Sequence, residues 1–304
     1  MVPYNPGGAA DADNRLRAVY FEKYLGIPVI VQNIAGAAGL VGTNTAFASK
    51  SDGYTMVAGG LQDCIYGYKN FSPSPVPWEL DQWKGTGIFN CLQAMGLACL
   101  NDSPWQDFAD LIEDARSKPP KSITLASIGP GRFDDVWVIE IQKVFGVDFN
   151  WVFYEGTGAI LTDLLTGDLD VGMVQVGRPD FINHPDFRTL VGFTTEYPDG
   201  CPYKGEHKTL VDFQERLGYK LTDIPALTTP AFSAFFVKAD IPDEAYEVIC
   251  DTIKKMAMDP EWQEENKAFN WPTYIPVEDQ NEMFKQLNAV MESYVDLHKQ
   301  LIPR

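Results

Sequence analysis

Two glycine-rich loops near the start of the chain constrain its fold more than any other feature. The first reads Pro3-Tyr4-Asn5-Pro6-Gly7-Gly8-Ala9-Ala10-Asp11, and the second Asn33-Ile34-Ala35-Gly36-Ala37-Ala38-Gly39-Leu40-Val41-Gly42. Each stands between a short apolar stretch and a segment of helical spacing, so each is expected to join a strand to a helix. Such a loop exposes main-chain N–H groups at a helix N-terminus, and those groups suit an anion. The same glycines would also suit tight βα turns with no ligand at all.

The spacing predicts a helix over 12–25, with Leu16, Val19 or Tyr20, and Lys23 or Tyr24 inward and Gly26 as its stop. Ile27 to Val31 reads as a buried strand, 40–49 as a helix and Tyr54 to Ala58 as a strand. This β-α-β-α-β order predicts a parallel sheet covered by helices. Residues 61–90, with Pro73, Pro75 and Pro77, read as irregular. Leu92 to Leu100 reads as a strand, followed by a helix from Pro104 that ends at Pro119-Pro120.

The plan then repeats. Strand 123–126 leads into a third glycine-rich loop, Ser127-Ile128-Gly129-Pro130-Gly131-Arg132. Helix 133–145, strand 149–153, helix 157–165 and strands 170–174 and 188–193 follow. A Phe-rich strand at 226–237 and helices 243–258, 260–269 and 277–301 complete the chain. The fold class is therefore α/β with two domains, 1–101 plus 227–304 and 102–226. The chain crosses between them twice, which places a ligand cleft between two lobes.

Composition narrows the function. The 304 residues, 45% of them hydrophobic, suffice for two packed domains. A net charge of −18 argues against nucleic acid or an anionic membrane surface as a partner. No run of apolar residues is long enough for a membrane-spanning helix, and no secretory leader is visible. Two residues precede Pro3, too few for a strand leading into it, so the native chain is expected to begin upstream. Cysteines 64, 91, 99, 201 and 250 form no C-x-x-C pair, and their odd number leaves at least one thiol outside any disulfide within the chain. Histidines 184, 207 and 298 are scattered. No metal-ligand spacing, nucleophile elbow or phosphate-loop lysine occurs, so neither an enzyme nor a cofactor is expected.

Several residues have the chemistry to hold an organic acid. Tyr4 can form an aromatic wall, and the Asn5 amide can donate to a carboxylate. Gly7, Gly8, Gly36, Ala37, Ala38 and Gly39 offer loop N–H groups. Asp11 can accept from a ligand hydroxyl, an amine or a water, or serve the helix dipole alone. Ser127, Gly129 and Arg132 belong to the third loop. The Arg132 fork matches a distal carboxylate, with Arg178 as a second candidate. Asp134 and Asp135 either neutralise Arg132 or favour a cationic ligand group. Tyr154 and Gln175 end two strands of the same domain.

Pro3-Tyr4-Asn5-Pro6-Gly7-Gly8 with Asp11, and Asn33 with Gly36-Ala37-Ala38-Gly39 and Gly42, resemble the two ligand loops of the periplasmic receptors of tripartite tricarboxylate transporters. The likeness continues through Asp52-Gly53-Tyr54-Thr55, Ser127 to Gly131, Tyr154-Glu155-Gly156 and Thr162 to Asp170. The resemblance implies a type II periplasmic binding protein fold that closes by a hinge on a small organic carboxylate; Arg132 favours a dicarboxylate, and a monomer is expected. It implies delivery of that ligand to a membrane permease. A sensory binding protein, or an α/β enzyme acting on a carboxylic acid, is the alternative. Three departures stand out from the family pattern. Ala38 adds a methyl where glycine is usual, Arg132 and Asp135 replace a small hydroxyl residue and a histidine, and Gln175 replaces an aspartate.

Overall fold

The computed structural model describes all residues except 8, 61–64, 66–68, 70–74, 93–94, 129–132, 155, 177–180, 182–183, 198–203, 230–231, 268–269 and 302–304. Its longer helices are α1 (Ala9–Leu25), α2 (Leu40–Ala48), α3 (Phe108–Ser117), α4 (Phe133–Phe145), α5 (Thr157–Thr166), α6 (Asp243–Ala257), α7 (Pro260–Asn266) and α8 (Val277–Leu301). The strands are β1 (Val57–Gly60), β2 (Trp83–Leu92), β3 (Met95–Leu100), β4 (Thr124–Ile128), β5 (Asn150–Tyr154), β6 (Val171–Gln175), β7 (Phe187–Gly192), β8 (Phe232–Lys238) and β9 (Asn270–Ile275). The chain divides into two compact units, Met1–Leu92 with Ala231–Val295 and Gln93–Pro230 with Asp296–Arg304. Residues 93–101, 227–230 and 296–304, assigned to the first domain from sequence, fall in the second unit. Strand β3 belongs there because it pairs with β6 and β7.

The first unit holds a sheet of order β1-β8-β2-β9 whose pairings are all antiparallel. The parallel sheet expected from the opening β-α-β-α-β order is therefore corrected. Its parallel character survives in the bridge of Val2 to Asn33, and the Ala58 N–H also donates to the Met1 carbonyl at 2.9 Å. Ile27 to Val31 forms no ladder. Pro28 has no N–H to give, the Val29 N–H donates to Glu22 Oε1 at 2.7 Å, and Ile30 is 85% exposed. Residues 83–90, expected to be irregular, belong to β2, and 270–275 form β9.

The core of this unit joins Tyr20 and Phe21 of α1 to Phe89, Phe235 and Val237 of the sheet, and to Ile249, Ile253, Met256 and Trp262. Phe21 meets Phe235 edge-on, with ring centroids 5.3 Å apart. Helix α1 departs from the expected apolar stripe. Asp13, Asn14 and Arg17 are buried, and Val19 is exposed. The Arg17 guanidinium pairs with Asp13, donates to Asn14 Oδ1 at 3.0 Å and lies 4.6 Å from the Phe89 ring centroid. These bonds are what allow a charged pair to be buried there.

The second unit holds a sheet of order β5-β4-β6-β3-β7. Strands β5 and β6 run parallel to β4, and β3 runs antiparallel to β6 and β7. Alternating strands and helices here build the parallel arrangement that the sequence pattern predicts, around β3 as an antiparallel insertion. Ala126, Ile160, Leu164, Val174 and Phe187 share one apolar cluster. Asp107 caps α3, its Oδ1 accepting the N–H groups of Ala109 and Asp110.

Candidate functional site

The two opening loops are built into one structure. Gly7 takes φ +82°, and its N–H donates to Asp11 Oδ2 at 2.9 Å, back across the first turn of α1. The Asn33 amide donates to the Tyr4 carbonyl at 3.1 Å. The Val2 N–H donates to the Gln32 carbonyl and the Ile34 N–H to the Val2 carbonyl. In the second loop Gly36 and Gly39 adopt φ +131° and +106°, and Ala37 takes φ +48°, a left-handed value costly for a residue with a Cβ. Residues 37–39 form one tight turn that leads directly into α2, and the Gly39 N–H returns to the Gly36 carbonyl at 3.0 Å.

Gly42 lets the loops meet. A Cβ on it would stand 2.4 Å from the Ile34 carbonyl oxygen and 2.7 Å from Pro3 Cα. Both neighbours are backbone and cannot swing aside. The glycine is therefore required by close approach and not by φ.

Arg15, one turn beyond Asp11, was not among the residues picked from sequence. Its Nε donates to Asp11 Oδ2 at 3.1 Å, its Nη2 lies 3.0 Å from Asp11 Oδ1, and the same Nη2 reaches Asn33 Oδ1 at 3.3 Å. The i, i+4 spacing of Asp11 and Arg15 was the signal available for it. The Arg15 bond, followed by the Gly7 N–H, holds the Asp11 carboxyl below the usual carboxylate range although burial opposes this. Of the other loop residues, Tyr4 is half-buried and packs on the first core, and Asn5 and Ala37 are exposed. Gly8 lies outside the described residues, as does the side chain of Ala38.

In the second unit Ser127 is fully buried, and its Oγ accepts the Trp151 Nε1–H at 2.8 Å. Asp135 is also fully buried, with Oδ2 2.9 Å from His298 Nε2, so its side chain faces the interior of the unit. That placement follows from the helix: Val136, Val138 and Ile139 beside it are buried as well. The Tyr154 hydroxyl donates to Asp163 Oδ2 at 2.5 Å, and this bond, helped by burial, pushes the phenol up to about 12. Gln175 ends β6 opposite Met95 and is half-buried. Gly129, Arg132 and Arg178 lie outside the described residues. Glu140, missed from sequence, is fully buried and accepts the N–H groups of Ala226 and Leu227 at 3.0 and 2.7 Å.

Among the described residues, no group of three or more His, Cys, Asp or Glu side chains is placed to hold a metal ion, and no helix is long and apolar enough to cross a membrane. Cys99 and Cys250 form no disulfide; Cys64, Cys201 and the side chain of Cys91 lie outside the described residues. A surface cavity of the first unit is lined by Lys69, Glu79, Leu80, Asp81 and Glu292, but Lys69 pairs with Glu79 and acids dominate its wall. It is a poor host for an anion.

The fold of these α/β units is that of solved periplasmic binding proteins. BugD, a periplasmic binding protein, superposes with a TM-score of 0.79 over 98% of this chain and 95% of its own at 19% identity. Rpa4515 of R. palustris, solved with adipate, does so with a TM-score of 0.82 over 98% and 95% at 17% identity. The chain belongs to the tripartite tricarboxylate transporter receptor family, whose signature matches residues 14–197. Protein BugT of Bordetella pertussis is 46% identical over 169 residues, 55% of this chain and 51% of that protein. The chain spans about half the length of the curated relatives it matches.

Proposed function

We propose that this chain is a periplasmic solute receptor that binds a small organic carboxylate, a dicarboxylate by preference, and passes it to the membrane permease of a tripartite tricarboxylate transporter. The observation that carries the reading is the loop pair of the first unit. The two glycine turns lead into α1 and α2, and hydrogen bonds through Asn33 and Arg15 tie the two loops together. First-turn N–H groups have no acceptor within their own helix, and their dipoles favour negative charge. They replace the hydration of one carboxylate without placing a net charge in the site. Family membership and the adipate held by Rpa4515 support the same ligand chemistry. Arg132 is assigned to the second acid group.

Thermal shift and calorimetry with adipate, malate, citrate, benzoate and L-aspartate test the reading. A ligand at about a hundred times its Kd raises stability by about 2.7 kcal/mol and is recovered unchanged. Arg132→Ala weakens a dicarboxylate more than a monocarboxylate. Absence of stabilisation by every acid, or steady turnover of one, overturns the reading.

A further inference from the structure

The Asp11 carboxylate poses a problem for an anion receptor, because it sits in the first turn of the helix whose N-terminus is offered to the ligand. Left to itself it would repel a carboxylate and attract an ammonium. It is instead 4% exposed, with both hydrogen bonds on Oδ2 and only the Arg15 charge beside Oδ1. Oδ2 accepts from the Gly7 N–H and from Arg15 Nε, and Oδ1 faces Arg15 Nη2. The guanidinium approaches side-on, with Nε hydrogen-bonded to Oδ2 and Nη2 in ion-pair contact with Oδ1 at 3.0 Å. The Nη2 that faces Oδ1 also reaches Asn33 Oδ1 in the second loop, and the Asn33 amide holds the Tyr4 carbonyl of the first. One planar cation thus touches the acid of the first loop and Asn33 of the second. A lysine, a point charge on a flexible stem, would not satisfy both in this way.

We propose that Arg15 is a positioning residue that sets the charge preference of the loop pair. It cancels Asp11 and locks both loops, so that the loop pair accepts a carboxylate and turns away a ligand presenting an ammonium at that point. The inference rests on the carboxylate-receptor reading above. It settles the choice between Asp11 as a ligand acceptor and Asp11 as part of the scaffold in favour of the scaffold.

The test uses the full chain and two ligand pairs that differ by one ammonium: succinate against L-aspartate, and adipate against L-2-aminoadipate. Wild type is expected to favour the amine-free member of each pair. In Arg15→Ala the uncancelled Asp11 lowers dicarboxylate affinity, and the ratio between pair members moves about tenfold toward the ammonium. Adding Asp11→Asn to Arg15→Ala removes the exposed charge and restores the ratio toward wild type. A purely structural role for Arg15 weakens both members equally and is not rescued by a second substitution. Arg15→Lys, which keeps the charge and loses the fork, retains the preference at reduced affinity, and it serves if Arg15→Ala fails to fold. If wild type binds none of the four acids or any acid of the wider panel, the receptor reading itself falls. If wild type binds and the ratio stays fixed in Arg15→Ala, or the double variant shows no recovery, the Arg15 inference alone falls.

Discussion

Gly42 shows how one absent methyl group joins two loops. Its Cβ position is filled by the Ile34 carbonyl and Pro3, both main-chain neighbours, so Gly42→Ala must push the first loop off the second. A cost of about 1–3 kcal/mol is expected, the usual scale of overpacking, together with a loss of carboxylate affinity. Gly158 in α5 is the control, since nothing lies within 4 Å of its Cβ position and alanine favours a helix. Thermal denaturation of the two variants should show a lowered midpoint for Gly42→Ala and an unchanged or raised one for Gly158→Ala. At this scale the sequence was legible where chemistry is local. The turn glycines Gly7, Gly36 and Gly39 all adopt the positive φ that their pattern suggests. Asp135 was not legible in the same way, because its partner His298 lies 163 residues away and no local spacing announces it.

At the scale of elements, α1 carries the largest departure from pattern. Its inward face includes Asp13, Asn14 and Arg17, which an apolar periodicity cannot find. Arg17→Ala removes the counter-ion of a buried carboxylate and should destabilise by about 3–5 kcal/mol in denaturant unfolding. The double change Asp13→Asn with Arg17→Met should cost much less, because no buried charge is left behind. Asp259, the N-cap of α7, is a second polar anchor. Burial alone would raise its pKa, but bonds from Lys23, Tyr24 and the Glu261 and Trp262 N–H groups outweigh it and bring the value to about 2. A carboxyl depressed on folding stabilises above its unfolded pKa of about 3.9, and that stability is lost as pH falls toward the folded value. Unfolding measured from pH 5 to pH 2 should therefore show a shallower acid loss in Asp259→Asn than in wild type. Helix α4 matched its expected span and the three C-terminal helices lay where periodicity put them, whereas β2 and β9 were missed. Strand β2 contains Gly85 and Gly87 and shifts register along its length, and β9 contains Pro272. Pro272 is tolerated because β9 is the last strand of its sheet.

At the scale of the whole molecule, the chain leaves the first unit after Leu92, returns at Ala231 and ends in the second from Asp296. His298 anchors that last segment on Asp135. His298→Ala takes a partner from a fully buried carboxylate and should cost the second unit about 1–3 kcal/mol. Amide exchange should quicken in 133–145 and stay unchanged in 243–257; equal acceleration of both would remove the local role of the pair. The sequence by itself determined the helices, the turn glycines, the alternating α/β plan of the second unit and, through its ordered motifs, the family. It could do so because each of those rests on contacts between near neighbours in the chain. Only the tertiary structure decided that the first sheet is antiparallel, since β1 and β2 take as their common partner β8, more than a hundred residues downstream. It alone decided that Asp135 faces the interior and that Arg15 ties the two opening loops together. Strand partners, and the counter-ion that makes a carboxylate bearable inside a protein, are chosen by three-dimensional proximity, which no local pattern encodes.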